Sequence, residues 1–133
     1  MFKPVPVVAA IVSRADCYLV ALRPAGKRHG GLWEFPGGKV RPGESFLEAL
    51  DRELREELGV TVSEIAEPLF SAQDSDSAFV IHFVPTTIVG DPQCVEHPEI
   101  RWVRESELAE MPLAPADTQF VTEQFGDGKS SAS

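Results

Sequence analysis

A mixed α/β fold follows from three features of the chain. Short β-rich runs occupy both halves, one strongly patterned helix lies between them, and the apolar content suffices for a core. The 133 residues are 43% hydrophobic and 25% charged, which fits a single domain over 1–133. Residues 5–12 and 18–22 are β-rich runs and read as two strands, joined through SRAD with Asp16 in the turn. Arg23 and Pro24 close the second. Residues 26–43 contain GGLWEFPGGK, where glycines and prolines forbid a regular helix and let the backbone approach a ligand closely. Ser45 and Glu48 then form a capping box that opens SFLEALDRELREELG, and Gly59 is its C-terminal stop. Beyond it, residues 60–65, 69–72, 79–84, 86–89 and 100–103 read as strands, with QDSDS joining two of them. A short helix is expected over 105–109 and a terminal one over 116–125, anchored by Phe120, Val121 and Phe125. The end, GDGKSSAS, lacks large apolar residues, and 127–133 reads as a loose tail.

Charge narrows the function. Against 12 basic residues stand 21 acidic ones, a formal net charge of -9. Such a chain is repelled by nucleic acid and by anionic membrane surfaces. An anionic substrate therefore requires a cation between it and the protein. The first 14 residues, MFKPVPVVAAIVSR, are interrupted by prolines and read as a strand rather than a signal peptide. Cys17 and Cys94 show neither disulfide nor zinc spacing, so the expectation is a cytoplasmic protein without membrane or nucleic-acid partner. Monomer is the default, with a homodimer left open.

The central helix carries the chemistry. At ~100° per residue, Leu47, Leu50, Leu54 and Leu58 form one apolar stripe for the sheet. Glu53, Glu56 and Glu57 fall on a neighbouring arc at i,i+3 and i,i+4, where like charges repel, and Glu57 also sits at the negative end of the helix dipole. An acidic solvated face tied by Glu48-Arg52, Asp51-Arg55 and Arg52-Glu56 pairs is one explanation. The other is a hard divalent cation, Mg²⁺ or alternatively Mn²⁺, which binds carboxylates while keeping waters and substrate phosphates. Gly37, Gly38, Pro42 and Gly43 build a loop that delivers Glu44 to the helix start, and Arg52 can brace a carboxylate. These neighbours favour the metal.

Residues 38–60, GKVRPGESFLEALDRELREELGV, resemble a complete Nudix box: Gly38, Glu44, Arg52, Glu53, Leu54, Glu56, Glu57, Gly59 and Val60 each stand at their specified spacing. WEFPGGK before it and PLAPAD after it are similar to the MutT-like branch. That resemblance implies an α/β/α sandwich with a mixed sheet. It also implies hydrolysis of a nucleoside triphosphate to monophosphate and pyrophosphate, by water attack at the phosphorus next to the one bearing the nucleoside.

The resemblance implies a catalytic set of Glu53, Glu56, Glu96, Arg52 and Glu44. Glu53, Glu56 and Glu57 with the Gly38 carbonyl would hold Mg²⁺, and Glu44 would hold the helix geometry or a further metal, with Arg52 orienting it. Glu96, in CVEHPEIRW, resembles the loop glutamate brought to the metals in this branch, with Glu99 and a helix glutamate as rivals for the general base. Arg23 and Lys39 are candidate phosphate contacts. Phe35 is a candidate for the base slot, with Trp33 beside it and the core as the alternative for both. His29, His82 and His97 show no ligand spacing and receive no role.

Asp117 departs from the best known MutT-like pattern, which has Asn there. An ionised Asp only accepts, which suits a base presenting an amino group such as cytosine; a buried, protonated Asp would donate as well. A helix N-cap is its structural alternative. The expected substrate is accordingly 8-oxo-dGTP or a cytidine nucleotide, in a nucleotide-pool sanitising role. A catalytically silent nucleotide sensor, or a hydrolase of dinucleoside polyphosphates or nucleotide sugars, is the alternative.

Overall fold

The structure is a computed structural model describing residues 3–74 and 77–126. The expected tail at 127–133, and Ser75 and Asp76 of the QDSDS link, lie outside the described residues. The elements in order are β1 (Val5–Ile11), β2 (Ser13–Arg14), β3 (Cys17–Leu22), β4 (Trp33–Glu34), β5 (Gly37–Lys39), α1 (Phe46–Leu58), β6 (Thr61–Ile65), β7 (Phe70–Gln73), β8 (Phe79–Val89), β9 (Ile100–Arg104), α2 (Glu105–Leu108) and α3 (Pro115–Phe125). Among the described residues no helix is long and apolar enough to cross a membrane.

A mixed sheet runs β5-β1-β8-β6, with β7 also on β8. Its central pair, β1 and β8, is parallel, and the other pairings are antiparallel. A second, antiparallel sheet gathers β2, β4 and β9 around β3. Alternation along β1 separates two cores. Val8 and Ala10 face Leu50, Leu54 and Leu58 of α1, while Ala9 and Ile11 face Phe120 and Val121 of α3. Helices on opposite faces make the expected α/β/α sandwich.

The hairpin between β2 and β3 turns through Ala15 and Asp16, both with positive φ (51° and 65°), the geometry that matches the twist of paired strands. Both start and stop of α1 stand as read: Ser45 accepts from the Glu48 N–H, Glu48 answers the Ser45 N–H, and Gly59 closes the helix at φ 71°.

Three expectations change. Leu47 is 38% exposed; the first turn instead sets Phe46 against the core, 5.0 Å from the His82 ring of β8, and Ala49 joins the buried stripe. The runs 79–84 and 86–89 are one strand through Pro85. The Pro85 carbonyl accepts from Ala66 in the gap between β6 and β7, so the missing N–H falls where no ladder rung is needed. Finally, α3 begins at Pro115 with Ala114 as N-cap, so Asp117 is inside the first turn and is not the cap.

Candidate metal and substrate site

Everything at the site follows from how β5 meets α1. A Cβ built on Gly38 would overlap the Glu53 carboxylate, and one on Gly37 would overlap the Val8 carbonyl oxygen of the paired strand. Only glycine lets this backbone lie against a helix carboxylate. Arg52 fixes that carboxylate. Its Nε and Nη2 form a fork on Glu44 at 2.7 and 2.9 Å, its Nη1 donates to Glu53 at 2.8 Å, and its Nη2 also reaches the Lys39 carbonyl at 2.9 Å. The Arg52 guanidinium, with the Arg41 N–H, holds the Glu44 carboxyl down to about 2. Glu44 is therefore an ionised anchor bound to Arg52.

Glu53 and Glu57 converge behind this bracket. Burial first, and the Glu53 carboxylate second, push Glu57 well above the usual carboxylate range. Its Oε1 is buried without a hydrogen-bond partner. An orphaned carboxylate oxygen beside a second carboxylate that lies against the Gly38 backbone is a donor set of hard oxygens. It fits a divalent cation that keeps waters and phosphate oxygens in its remaining positions. Glu56 stands apart. Half exposed, it makes only a 3.7 Å contact to Arg52, and no group of three acidic, His or Cys side chains among the described residues is already drawn into a cage. The expected triple cluster is thus a close pair, Glu53 and Glu57, with Glu56 on the rim. Of the pairs expected for a merely solvated face, Asp51-Arg55 forms at 2.7 Å and Arg52-Glu56 at 3.7 Å, whereas Glu48 is spent on the cap and Arg52 holds Glu44 and Glu53 more closely.

The carboxylates open onto a cleft of about 740 Å³ lined by Arg23, Lys27, Lys39, Arg41, Glu96 and His97 as well as Glu53 and Glu57. Glu96 faces this cleft; its rival Glu99 turns to Arg101 at 2.8 Å. Beside it a pocket of about 210 Å³ is lined by Arg23, Phe35, Phe79, Ile81, Pro115 and Asp117 among others. Arg23 and Lys39 border both spaces. Arg23 is braced by Glu34 at 2.7 Å and by the Arg28 carbonyl at 2.6 Å, and Lys39 Nζ lies 4.9 Å over the Phe79 ring. The Phe35 ring is 2% exposed, packs edge-on against Phe83 and Phe120 and floors the pocket from the core, and Trp33 is likewise buried.

Asp117 is buried, and its Oδ2 accepts from the Phe35 N–H at 2.9 Å. Burial, with a smaller push from Glu34 against the pull of that N–H, raises its carboxyl to about 8. That shift favours the protonated form at neutral pH, which can both donate and accept, as an Asn would. The folded state holds this proton more tightly than the unfolded chain, so the stability it contributes is full below 3.8 and is lost as pH rises to about 8, at ~1.4 kcal/mol per pH unit. Asp117→Asn is expected to lack that loss. Urea midpoints of both proteins at pH 5 and pH 8 check this; parallel changes in the two would contradict a neutral Asp117.

Glu34 is not singled out in the sequence, and His97, which receives no role there, lies at the site. Glu34 bridges Arg23 and His97, and His97 is 8% exposed with Nε2 3.1 Å from Glu34 Oε2. Glu34 sits inside WEFPGGK, where the aromatics draw attention first, and a histidine that serves a carboxylate has no ligand spacing to betray it.

Residues 3–124 match the NUDIX domain family. The chain is 45% identical over 119 residues to a CTP pyrophosphohydrolase of Escherichia coli (strain K12), covering 86% of this chain and 87% of that protein. It is 33% identical over 124 residues to a putative 8-oxo-dGTP diphosphatase 2 of Mycobacterium tuberculosis, covering 88% and 85%. Among solved structures, the E. coli ORF135 protein superposes with a TM-score of 0.78 at 41% identity, covering 97% of this chain and 93% of that one. A MutT structure from work on the Aliivibrio salmonicida and Vibrio cholerae proteins gives 0.76 at 36%, covering 92% and 100%.

Proposed function

The chain belongs to the Nudix family and is a hydrolase of MutT type, and from that premise we propose that it converts a cytidine nucleoside triphosphate and water into the monophosphate and pyrophosphate, with Mg²⁺ as the metal. The observation that carries the reading is the orphaned Glu57 oxygen beside Glu53 and the Gly38 backbone, with a cationic rim of Arg23, Lys27 and Lys39 across the cleft.

In this reading Glu53, Glu56, Glu57 and the Gly38 carbonyl would hold the metal. When bound, Mg²⁺ neutralises phosphate charge and lowers the pKa of water. Arg52 keeps Glu53 in place, and Arg23 and Lys39 orient the phosphate chain. Glu96 accepts the proton of the attacking water as its oxygen bonds to the phosphorus next to the one bearing the nucleoside. The bond from that phosphorus to the nucleotide oxygen breaks, leaving monophosphate and pyrophosphate. Positioning and charge stabilisation supply most of the rate.

The cytidine preference rests on the 45% identical relative. A protonated Asp117 supports a second reading, 8-oxo-dGTP, because donor and acceptor together suit an oxidised guanine as Asn does in the related pattern. Either substrate gives a nucleotide-pool sanitising role, in a cytoplasmic, monomeric protein whose net charge of -9 disfavours nucleic acid. The test is pyrophosphate release with Mg²⁺ from CTP, dCTP, 5-methyl-dCTP, dGTP and 8-oxo-dGTP, compared by kcat/KM. Preference for a cytidine nucleotide is expected; an 8-oxo-dGTP preference of tenfold or more, ~1.4 kcal/mol, would give the second reading the site.

A further inference from the structure

We propose that His97 is a positioning residue that holds Glu96 over the cleft. The proposal rests on reading Glu96 as the proton acceptor and goes beyond it by saying what places that side chain. Glu96 lies on the irregular connection between β8 and β9 and is itself exposed. Two backbone bonds tie the connection to the end of α1: the Gln93 N–H donates to the Leu58 carbonyl at 2.9 Å and the Val95 N–H to the Glu57 carbonyl at 3.2 Å. From residue 93 to 98 the only buried side chain is His97. It inserts between β4 and α1, where Nε2 donates to Glu34 Oε2 at 3.1 Å and lies 3.9 Å from Glu57 Oε1. The other oxygen of Glu34 is held by Arg23 at 2.7 Å.

An exposed loop glutamate has many rotamers and a soft backbone, and a displacement of ~1 Å at a reacting group can cost ~10²-fold in rate. With its neighbour clamped to Glu34, Glu96 is referenced to the same strand that braces Arg23, a residue bordering the substrate pocket. The histidine's Nδ1 is buried without a partner, so the Nε2 contact is what this side chain offers.

The experiment is a double-substitution cycle on the full chain with the preferred nucleotide of the panel, at saturating Mg²⁺. His97→Ala is expected to lower kcat by about 10- to 100-fold with KM changed by less than ~3-fold. His97→Gln, whose amide can still donate to Glu34, recovers most of the loss. In a Glu96→Gln background the same His97→Ala change adds less than ~2-fold, because its effect passes through Glu96. Circular dichroism and melting confirm the fold, and His97→Asn, which withdraws the donor from Glu34, replaces the alanine variant if that one does not fold. An undiminished penalty in the Glu96→Gln background, or unchanged kcat in His97→Ala, overturns the proposal while leaving Glu96 its role. Wild-type kcat in Glu96→Gln alone overturns the reading of Glu96 and the proposal with it.

Discussion

Glu53→Gln is expected to lower kcat by roughly 10²- to 10³-fold while the protein stays folded. The residue is polar, partly solvated at its edge and isosteric with its replacement, so packing barely changes. Its charge is what the site uses: one carboxylate oxygen is bound by Arg52 at 2.8 Å, and the group lies against Gly38 and beside the orphaned oxygen of Glu57. Gln also relieves the repulsion between Glu53 and Glu57, which offsets the weakened Arg52 contact. Melting temperature and pyrophosphate release, measured on one preparation over a Mg²⁺ titration, separate the two effects. Unchanged turnover at saturating metal would remove Glu53 from the site.

The second large effect contrasts two adjacent glycines. Gly38→Ala puts a methyl into the Glu53 carboxylate, the far end of a side chain that can swing away. The helix survives, but the carboxylate leaves the cleft, so activity falls about as far as in Glu53→Gln, and more metal is needed. Gly37→Ala meets the Val8 carbonyl instead, in the backbone of the strand paired with β5. Nothing there can rotate out of the way. Overpacking of this kind costs ~1–3 kcal/mol or more, and loss of stability should precede any effect specific to turnover. Melting curves and pyrophosphate release distinguish them; a stable, inactive Gly37→Ala beside an unstable Gly38→Ala would reverse the assignment.

Local signals carried most of the fold. The capping box at Ser45, the glycine stop at Gly59 and the β-rich run that becomes β1 are written in consecutive residues, and each stands where the pattern puts it. Pro85 misled because a proline usually interrupts a strand, and only the tertiary gap between β6 and β7 shows why this one does not. Leu47 misled because helix periodicity gives an angle but not which first-turn side chain the core takes, and Phe46 lies over His82 of β8 instead.

The site was legible to the extent that it lies in one helix and one loop. Glu44, Arg52, Glu53 and Glu57 are set by spacing, and their bracket is visible as soon as the helix is drawn. Glu56 shares their arc, yet the rim position is decided by where Arg52 points, which spacing alone does not give. Glu34 and His97 are 63 positions apart; they meet only because β4 pairs with β3 and the β8–β9 connection folds back over α1. Asp117 shows the same limit in electrostatic form. Its residue type was plain, but its protonation depends on a burial that the sequence around it does not announce.

The most direct test of the whole account is the identity of the products and their dependence on metal. The purified protein, incubated with CTP and Mg²⁺, should release pyrophosphate and CMP in equal amounts, and a chelator should stop both until Mg²⁺ is restored. Release of orthophosphate with CDP, or turnover that persists after complete chelation, would contradict the carboxylate cleft as a metal-dependent pyrophosphohydrolase site.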